Sequence, residues 1–225
     1  MPLFPFPPMF AWSPSGPPIV EATNQSQHSS GVTSHTVSLP AGIQVGETLV
    51  VFFAYRGGGT TTDPSGWTSN NAFINSTPSP TVRTRVLTRV ADGTEGASIT
   101  VTTGVAAVSA HQSFRISGAL NGLSGVESDE FTANSSAPDA PNLTPSWGEA
   151  NNLWFASVAN ISTSGAATPP TNYANAIDED TGGGSSGIQL QTSRRTLKAT
   201  SEDPGTWSYT NAQEYIAFTV AVRGG

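Results

Sequence analysis

The two halves of this chain repeat each other in order and spacing, and a repeat of that kind limits the available folds severely. Leu39-Pro-Ala-Gly-Ile-Gln-Val-Gly-Glu-Thr-Leu-Val-Val-Phe-Phe-Ala in the first half is echoed by Leu143-Thr-Pro-Ser-Trp-Gly-Glu-Ala-Asn-Asn-Leu-Trp-Phe-Ala in the second; both times a Gly-Glu pair leads into an apolar run. Asp63-Pro-Ser-Gly-Trp is echoed by Pro169-Pro-Thr-Asn-Tyr, a proline turn that delivers one large aromatic, Trp67 or Tyr173. Arg89-Val-Ala-Asp-Gly-Thr-Glu parallels Lys198-Ala-Thr-Ser-Glu-Asp-Pro, and each half closes with a strand running into glycine, Ile116-Ser-Gly and Val222-Arg-Gly. Neither half has enough apolar surface to stand comfortably alone, so the two are expected to pack as one body from similar sets of strands.

The local patterns are those of strands. Ser34 to Leu39 alternates, Glu47 to Tyr55 contains the buried-strand run Leu49-Val50-Val51-Phe52-Phe53, and Val82 to Val90 places Arg83, Arg85 and Arg89 on one parity, a basic face unless a bulge intervenes. Ser98 to Thr102, His111 to Ile116, Leu153 to Val158, Ile188 to Thr192 and Arg195 to Thr200 read as further strands. Glu214 to Val222 puts Ile216, Phe218, Val220 and Val222 on one face and Ala217, Thr219 and Ala221 on the other. Nothing in this register suggests a helix of useful length. The expected fold is therefore all-β, a jelly-roll-like sandwich of about a dozen strands over residues 17–225, with one half at about 17–122 and the other at about 139–225. Two small sandwiches, divided at the polar stretch Glu127 to Pro141, are the alternative.

Residues 1–16 form a different kind of segment. Proline at positions 2, 5, 7 and 8 removes backbone donors and fixes φ, so an extended arm is expected, and the arm carries Leu3, Phe4, Phe6, Met9, Phe10 and Trp12. It lacks the basic n-region and unbroken apolar stretch of a secretory signal. Large apolar groups on an extended arm are costly to leave in water. These six residues are the expected partner-anchoring set, and a floppy terminus is the plainer reading.

Composition removes several functions. With 9 Lys and Arg against 16 Asp and Glu the net charge is −7, which repels phosphate backbones, and there is no Cys and no transmembrane-length apolar run. His28, His35 and His111 show no zinc spacing. A satisfied structural imidazole is the expectation for His35 and His111. No Gly-x-Ser-x-Gly elbow occurs, and Gly57-Gly-Gly and Gly182-Gly-Gly are not phosphate loops. The acidic clusters Glu127-Ser-Asp-Glu130 and Asp178-Glu-Asp180 offer hard oxygen ligands for Ca²⁺ but match neither an EF-hand nor a calcium repeat; they read as solvated loop charge. No catalytic residue, metal or cofactor is expected. Trp67 and Tyr173, with Trp207 behind them, are candidates for stacking on sugars, against the plainer reading that each plugs one end of the sandwich.

Leu39-Pro-Ala-Gly, Gly46-Glu-Thr-Leu-Val-Val, Pro64-Ser-Gly-Trp-Thr, Arg89-Val-Ala-Asp-Gly-Thr-Glu and Ser117-Gly together resemble a β-sandwich module found in proteins of tailed bacteriophages and in bacterial surface or prophage-derived proteins. The similarity spans roughly residues 17–225, and its motifs are turn and core residues. The resemblance implies a non-enzymatic virion accessory protein (a fibre, spike or capsid decoration). Its arm would anchor it among other virion proteins, as a homo-oligomer located on the virion. The alternative is an adhesin or receptor-binding protein that recognises a host surface glycan, placed on the particle, outside the cell or at a bacterial surface.

Overall fold

Leu49, Val50, Val51, Phe52 and Phe53 are apolar at both parities, so a strand built from them is stable only if both of its faces are covered. The computed structural model meets that demand twice, once in each half. It describes residues 16–74, 82–120, 125–161 and 165–225. The expected anchoring residues Leu3, Phe4, Phe6, Met9, Phe10 and Trp12 lie outside the described residues.

The first half supplies β1 (Ile19–Ser38), β2 (Thr48–Arg56), β3 (Thr61–Thr62), β4 (Thr68–Ile74), β5 (Val82–Val90) and β6 (Ser98–Ser117). The second supplies β7 (Val126–Ser135), β8 (Asp139–Ala140), β9 (Ala150–Asn160), β10 (Ala174–Asp180), β11 (Gln189–Ala199), β12 (Gly205–Thr206) and β13 (Gln213–Arg223). One sheet runs β1-β6-β2-β5-β4 and the other, read from β7, runs β7-β13-β9-β11-β10; every pairing is antiparallel. Taking the five long strands of each half in chain order, both sheets read first-fifth-second-fourth-third. The chain completes one layer before it starts the other, rather than passing back and forth between layers as in a jelly roll.

The echoed sequences fall at equivalent places. The Trp67 N–H donates to the Pro64 carbonyl at 3.1 Å, and the Tyr173 N–H to the Pro170 carbonyl at 3.1 Å. The residue before each ring has positive φ, 78° at Gly66 and 68° at Asn172, a region in which glycine and asparagine are the least strained. Leu39 donates its N–H to Ala97 and Leu143 to Glu202, each at 2.9 Å.

Three apolar clusters result. Between the layers, Phe52 packs edge-on against Phe155 and Phe218, with ring centroids 5.3 Å apart in each case. Around them lie Val50, Phe114, Ile116, Leu153, Leu190, Ile216, Val220 and Val222. This core draws on both halves, so the layers form one sandwich and not two. The other parity of each sheet forms its own cluster on the outer face: Leu49, Val51, Phe53, Leu87 and Trp67 on the first sheet, and Trp154, Val158, Tyr173, Trp207, Tyr215 and Ala217 on the second. β13 divides as its sequence foretells, with Ile216, Phe218, Val220 and Val222 inward and Ala217 and Ala221 outward.

Covering the first sheet's outer face takes an unusual device. β1 and β6 are each 20 residues long and stay paired while the ribbon they form bends, with register breaks between His28 and Val32 and between Val32 and Ser34. The far limb of β1 returns over its near limb: Asn24 Nδ2 donates to the Leu39 carbonyl at 2.9 Å and the Ser38 N–H to Ser26 Oγ at 3.0 Å. Val37 and Val101 thereby join the outer cluster. Ser34 to Leu39, Ser98 to Thr102 and His111 to Ile116, which read as three short strands, are parts of this one ribbon. Likewise Ile188 to Thr192 and Arg195 to Thr200 belong to the single strand β11, apart from Ile188 and Thr200 at its margins.

The stretch Glu127 to Pro141 is not a loop between halves. It holds β7 and β8, and β7 is paired along its whole length with β13. Its polar text reflects its place at a sheet edge.

Candidate functional site

Trp67 and Tyr173 are 8% and 6% exposed, each closed into the outer-face cluster of its own sheet. Tyr173 Oη donates to Glu202 at 3.2 Å, and the Arg195 guanidinium lies 5.7 Å from its ring centroid while pairing with Glu202 at 3.1 Å. Burial, with Glu202 alongside, holds the Tyr173 hydroxyl in its protonated form. The two rings work as plugs at equivalent points, and neither offers a free face to a sugar.

The two acidic clusters occupy strands, which corrects their reading as loop charge. Glu127, Asp129 and Glu130 lie on β7 and Asp178, Glu179 and Asp180 on β10, the two edge strands of the second sheet. Carboxylates along an unpaired edge oppose the docking of another strand. Burial and a neighbouring carboxylate raise Glu130 and Glu179 above the usual carboxylate range. Among the described residues no group of three or more His, Asp or Glu side chains is placed to hold a metal ion.

Arg83, Arg85 and Arg89 do share one face of β5, whose pairing with β2 runs without a bulge. The face is not free, however. Arg83 donates to the Gly59 carbonyl, Arg85 to Thr61 Oγ1 and to Ser69 Oγ, and Arg89 pairs with Asp92 at 2.9 Å and Glu95 at 2.8 Å. These arginines hold loops down over the outer cluster.

The bend in the β1–β6 ribbon gathers all three histidines. Thr103 Oγ1 donates to the Val105 carbonyl at 2.8 Å, so it must accept from His35 Nε2 at 2.9 Å. His35 Nδ1 is then an acceptor for the Ser109 hydroxyl at 2.7 Å, and Ser109 Oγ in turn accepts from His111 Nε2 at 2.7 Å. His111 Nδ1 accepts from Ser26 Oγ at 3.0 Å, which takes the Ser38 N–H. The tautomers thus follow from the network. His28 closes the group, its ring 5.4 Å from His35 and 5.7 Å from His111, with Nε2 accepting the Thr36 N–H at 2.9 Å. Burial above all, then the neighbouring imidazoles, lowers both inner rings, His35 to about 4 and His111 well below the ordinary value. The expectation of satisfied structural imidazoles at His35 and His111 matches this arrangement; their convergence carries no local sequence signal beyond the Ser- and His-rich text around Gly31.

One opening stands apart from these closed features. Along one side of the sandwich the edges β1 and β10 run side by side. At one end the two sheets are stitched together: Gln25 Nε2 of β1 donates to the Asp178 carbonyl of β10 at 2.7 Å, and Gln112 Nε2 of β6 donates to the Leu190 carbonyl of β11 at 2.8 Å and to the Ile177 carbonyl of β10 at 3.3 Å. At the other end β10 breaks register between Ala174 and Ile177, and a cleft of about 480 Å³ opens between the layers. Pro18, Ile19, Val20, Leu153 and Ala174 form its apolar wall, and Asn172, Asn175, Arg194, Arg195 and Thr196 its polar side. Asn172 and Asn175, with φ of 68° and 52°, are the non-glycine residues of positive φ among the described residues, and both line this cleft. The residues that build it are scattered over four segments, so no sequence motif marks it.

Comparison of the chain with protein-family models, with curated proteins and with solved structures gives no match in any of the three.

Proposed function

We propose that this protein is a non-enzymatic structural component of a phage particle, a fibre, spike or decoration module that is held by its first sixteen residues and exposes the sandwich. The observation that carries this reading is a mismatch between arm and body. The arm brings six large apolar side chains, Leu3, Phe4, Phe6, Met9, Phe10 and Trp12. The large apolar residues left exposed among the described residues are Ile19, Val45, Val105 and Phe131, which stand on separate elements and make no common patch. A repeated assembly supplies the missing surface in symmetric copies, and other virion proteins or further copies of this chain are the partners. The resemblance of the turn and core motifs to the phage-associated module supports the same reading.

The test is incorporation. Particles assembled with a chain lacking residues 1–15 should lose this protein, measured by mass spectrometry of purified particles, while the truncated chain stays folded. Unchanged incorporation contradicts the reading. A second reading, host attachment through a surface glycan, is favoured by one observation, the open cleft beside Arg194.

A further inference from the structure

Arg194 lies on the inter-layer parity of β11, opposite Phe155 of β9, and lines the cleft where the two sheets part. It is half-buried, and burial alone is what weakens its hold on its proton, with no carboxylate beside it to counter that cost. Among the described residues it has no hydrogen-bond or ion-pair partner. Its neighbour Arg195 also borders the cleft, but it lies on the opposite parity of β11 and is already neutralised by Glu202 at 3.1 Å. A partly desolvated guanidinium without a counter-charge is unfavourable unless something else supplies one. The chain's own arm does not, since residues 1–16 contain no Asp or Glu.

The surroundings narrow the missing partner. One unpaired guanidinium matches a single negative charge in a planar, forked group, which is a carboxylate. A polyanion is disfavoured by the net charge of −7. The Asn172 and Asn175 side chains and the Thr196 hydroxyl each offer donors and acceptors together, the pattern that hydroxyl groups require. Pro18, Ile19 and Val20 give the apolar contact that the C–H face of a sugar ring seeks, and Ile19 is 58% exposed. The volume is within the range of small-ligand sites. An acidic peptide would instead pair with the β10 edge, which the register break interrupts at this point.

We propose that the cleft between Pro18–Val20 and β10–β11 is a binding site for a carboxylate-bearing saccharide, with Arg194 taking the carboxylate and Asn172, Asn175 and Thr196 the hydroxyls. This gives chemical content to the attachment reading, and does not depend on the structural role of the arm. The experiment is a titration of the full chain, followed by amide chemical shifts, with digalacturonate, a hyaluronate tetrasaccharide and sialyllactose. Lactose and cellotetraose serve as neutral counterparts, and a tetraglutamate peptide as the competing anion. At least one acidic saccharide is expected to shift the signals of Asn172, Asn175 and Arg194, and its neutral counterparts are not. Arg194→Met should weaken that binding at least tenfold without lowering the unfolding midpoint. Asn175→Gly, which keeps the backbone conformation, should weaken it severalfold. No shift at these residues with any of the three acidic saccharides, equal binding by Arg194→Met, or equal binding of tetraglutamate overturns the site. Saccharides that shift residues elsewhere and leave Asn172, Asn175 and Arg194 unmoved overturn this site too, and leave host attachment standing.

Discussion

His35 and His111 share a single hydroxyl: Ser109 Oγ lies 2.7 Å from Nδ1 of the first ring and 2.7 Å from Nε2 of the second. One O–H can serve both only by donating to one and accepting from the other. The sharing therefore sets a direction that runs from the Ser38 N–H through Ser26, His111, Ser109, His35 and Thr103 to the Val105 carbonyl. The members of this hydrogen-bond chain come from both limbs of β1 and both limbs of β6. Its satisfaction is thus tied to the ribbon staying folded over the first sheet.

Acid should loosen this fold. Both inner rings are neutral in the folded state and have ordinary affinity for protons once unfolded, so the unfolded chain binds more protons below about pH 6.5. Stability is fully present above that value and drains as pH falls toward 4, where His35 is held. His35 alone accounts for about 3 kcal/mol across that interval, and His111 acts in the same direction. The raised carboxylates on β7 and β10 oppose this, because protonating them relieves a cost of folding. Urea unfolding at a series of pH values, in the parent chain and in His35→Gln, separates the two. The slope between pH 6.5 and 4.5 should flatten in the variant, and equal slopes contradict the assignment.

Ser109→Ala strands one ring nitrogen on each of two buried imidazoles. The expected loss is about 2–4 kcal/mol, since each unsatisfied buried group costs about 1–3 kcal/mol. The parent and variant are compared by chemical unfolding at pH 7.5, where both rings are neutral. A loss below about 0.5 kcal/mol, the size of an ordinary surface change, means the shared hydroxyl is not structural.

Trp67→Ala and Tyr173→Ala each remove a plug from one outer cluster, at a cost of about 3–5 kcal/mol apiece for a buried aromatic. Because the rings occupy equivalent positions in the two halves, the two losses should be similar. A change within about 0.5 kcal/mol at either site, which is usual for surface residues, contradicts its burial role.

Replacing Asp129 and Glu130 together by threonine keeps β7 a good strand but removes charge from an open sheet edge. In a chain lacking residues 1–15, the variant should associate at concentrations where its parent sediments as a monomer. A monomeric variant shows that this edge needs no electrostatic guard.

What the sequence discloses depends on where a strand sits. Val82 to Val90 is legible to the residue, because Val82, Thr84, Val86 and Thr88 face the second sheet while Arg83, Arg85 and Arg89 face the outer side. β13 is legible because its two faces are both apolar and differ in size. β7 and β10 are not. An edge strand pairs on one side only and answers to water on the other, so Glu127-Ser-Asp-Glu130 and Asp178-Glu-Asp180 read as loop text. The repeat between halves was visible in turn residues such as Pro64-Ser-Gly-Trp and Pro170-Thr-Asn-Tyr; that each half makes one whole layer was not, since pairing partners leave no mark at that spacing. The histidine chain and the Arg194 cleft were invisible for one shared reason. Both join residues more than 70 positions apart, brought together by a bent ribbon in one case and a broken edge strand in the other.

The proposed function rests on a body that is complete without its leading segment and a segment that needs another surface. Sedimentation and chemical unfolding of the full chain, compared with a chain beginning at Gly16, address both parts at once. The expected result is the same unfolding midpoint for both chains, with association seen only when residues 1–15 are present. A full chain that stays monomeric, together with a trimmed chain that unfolds at clearly lower denaturant, would mean that Phe4, Phe6 and Trp12 pack on their own sandwich, and the anchoring account would fail.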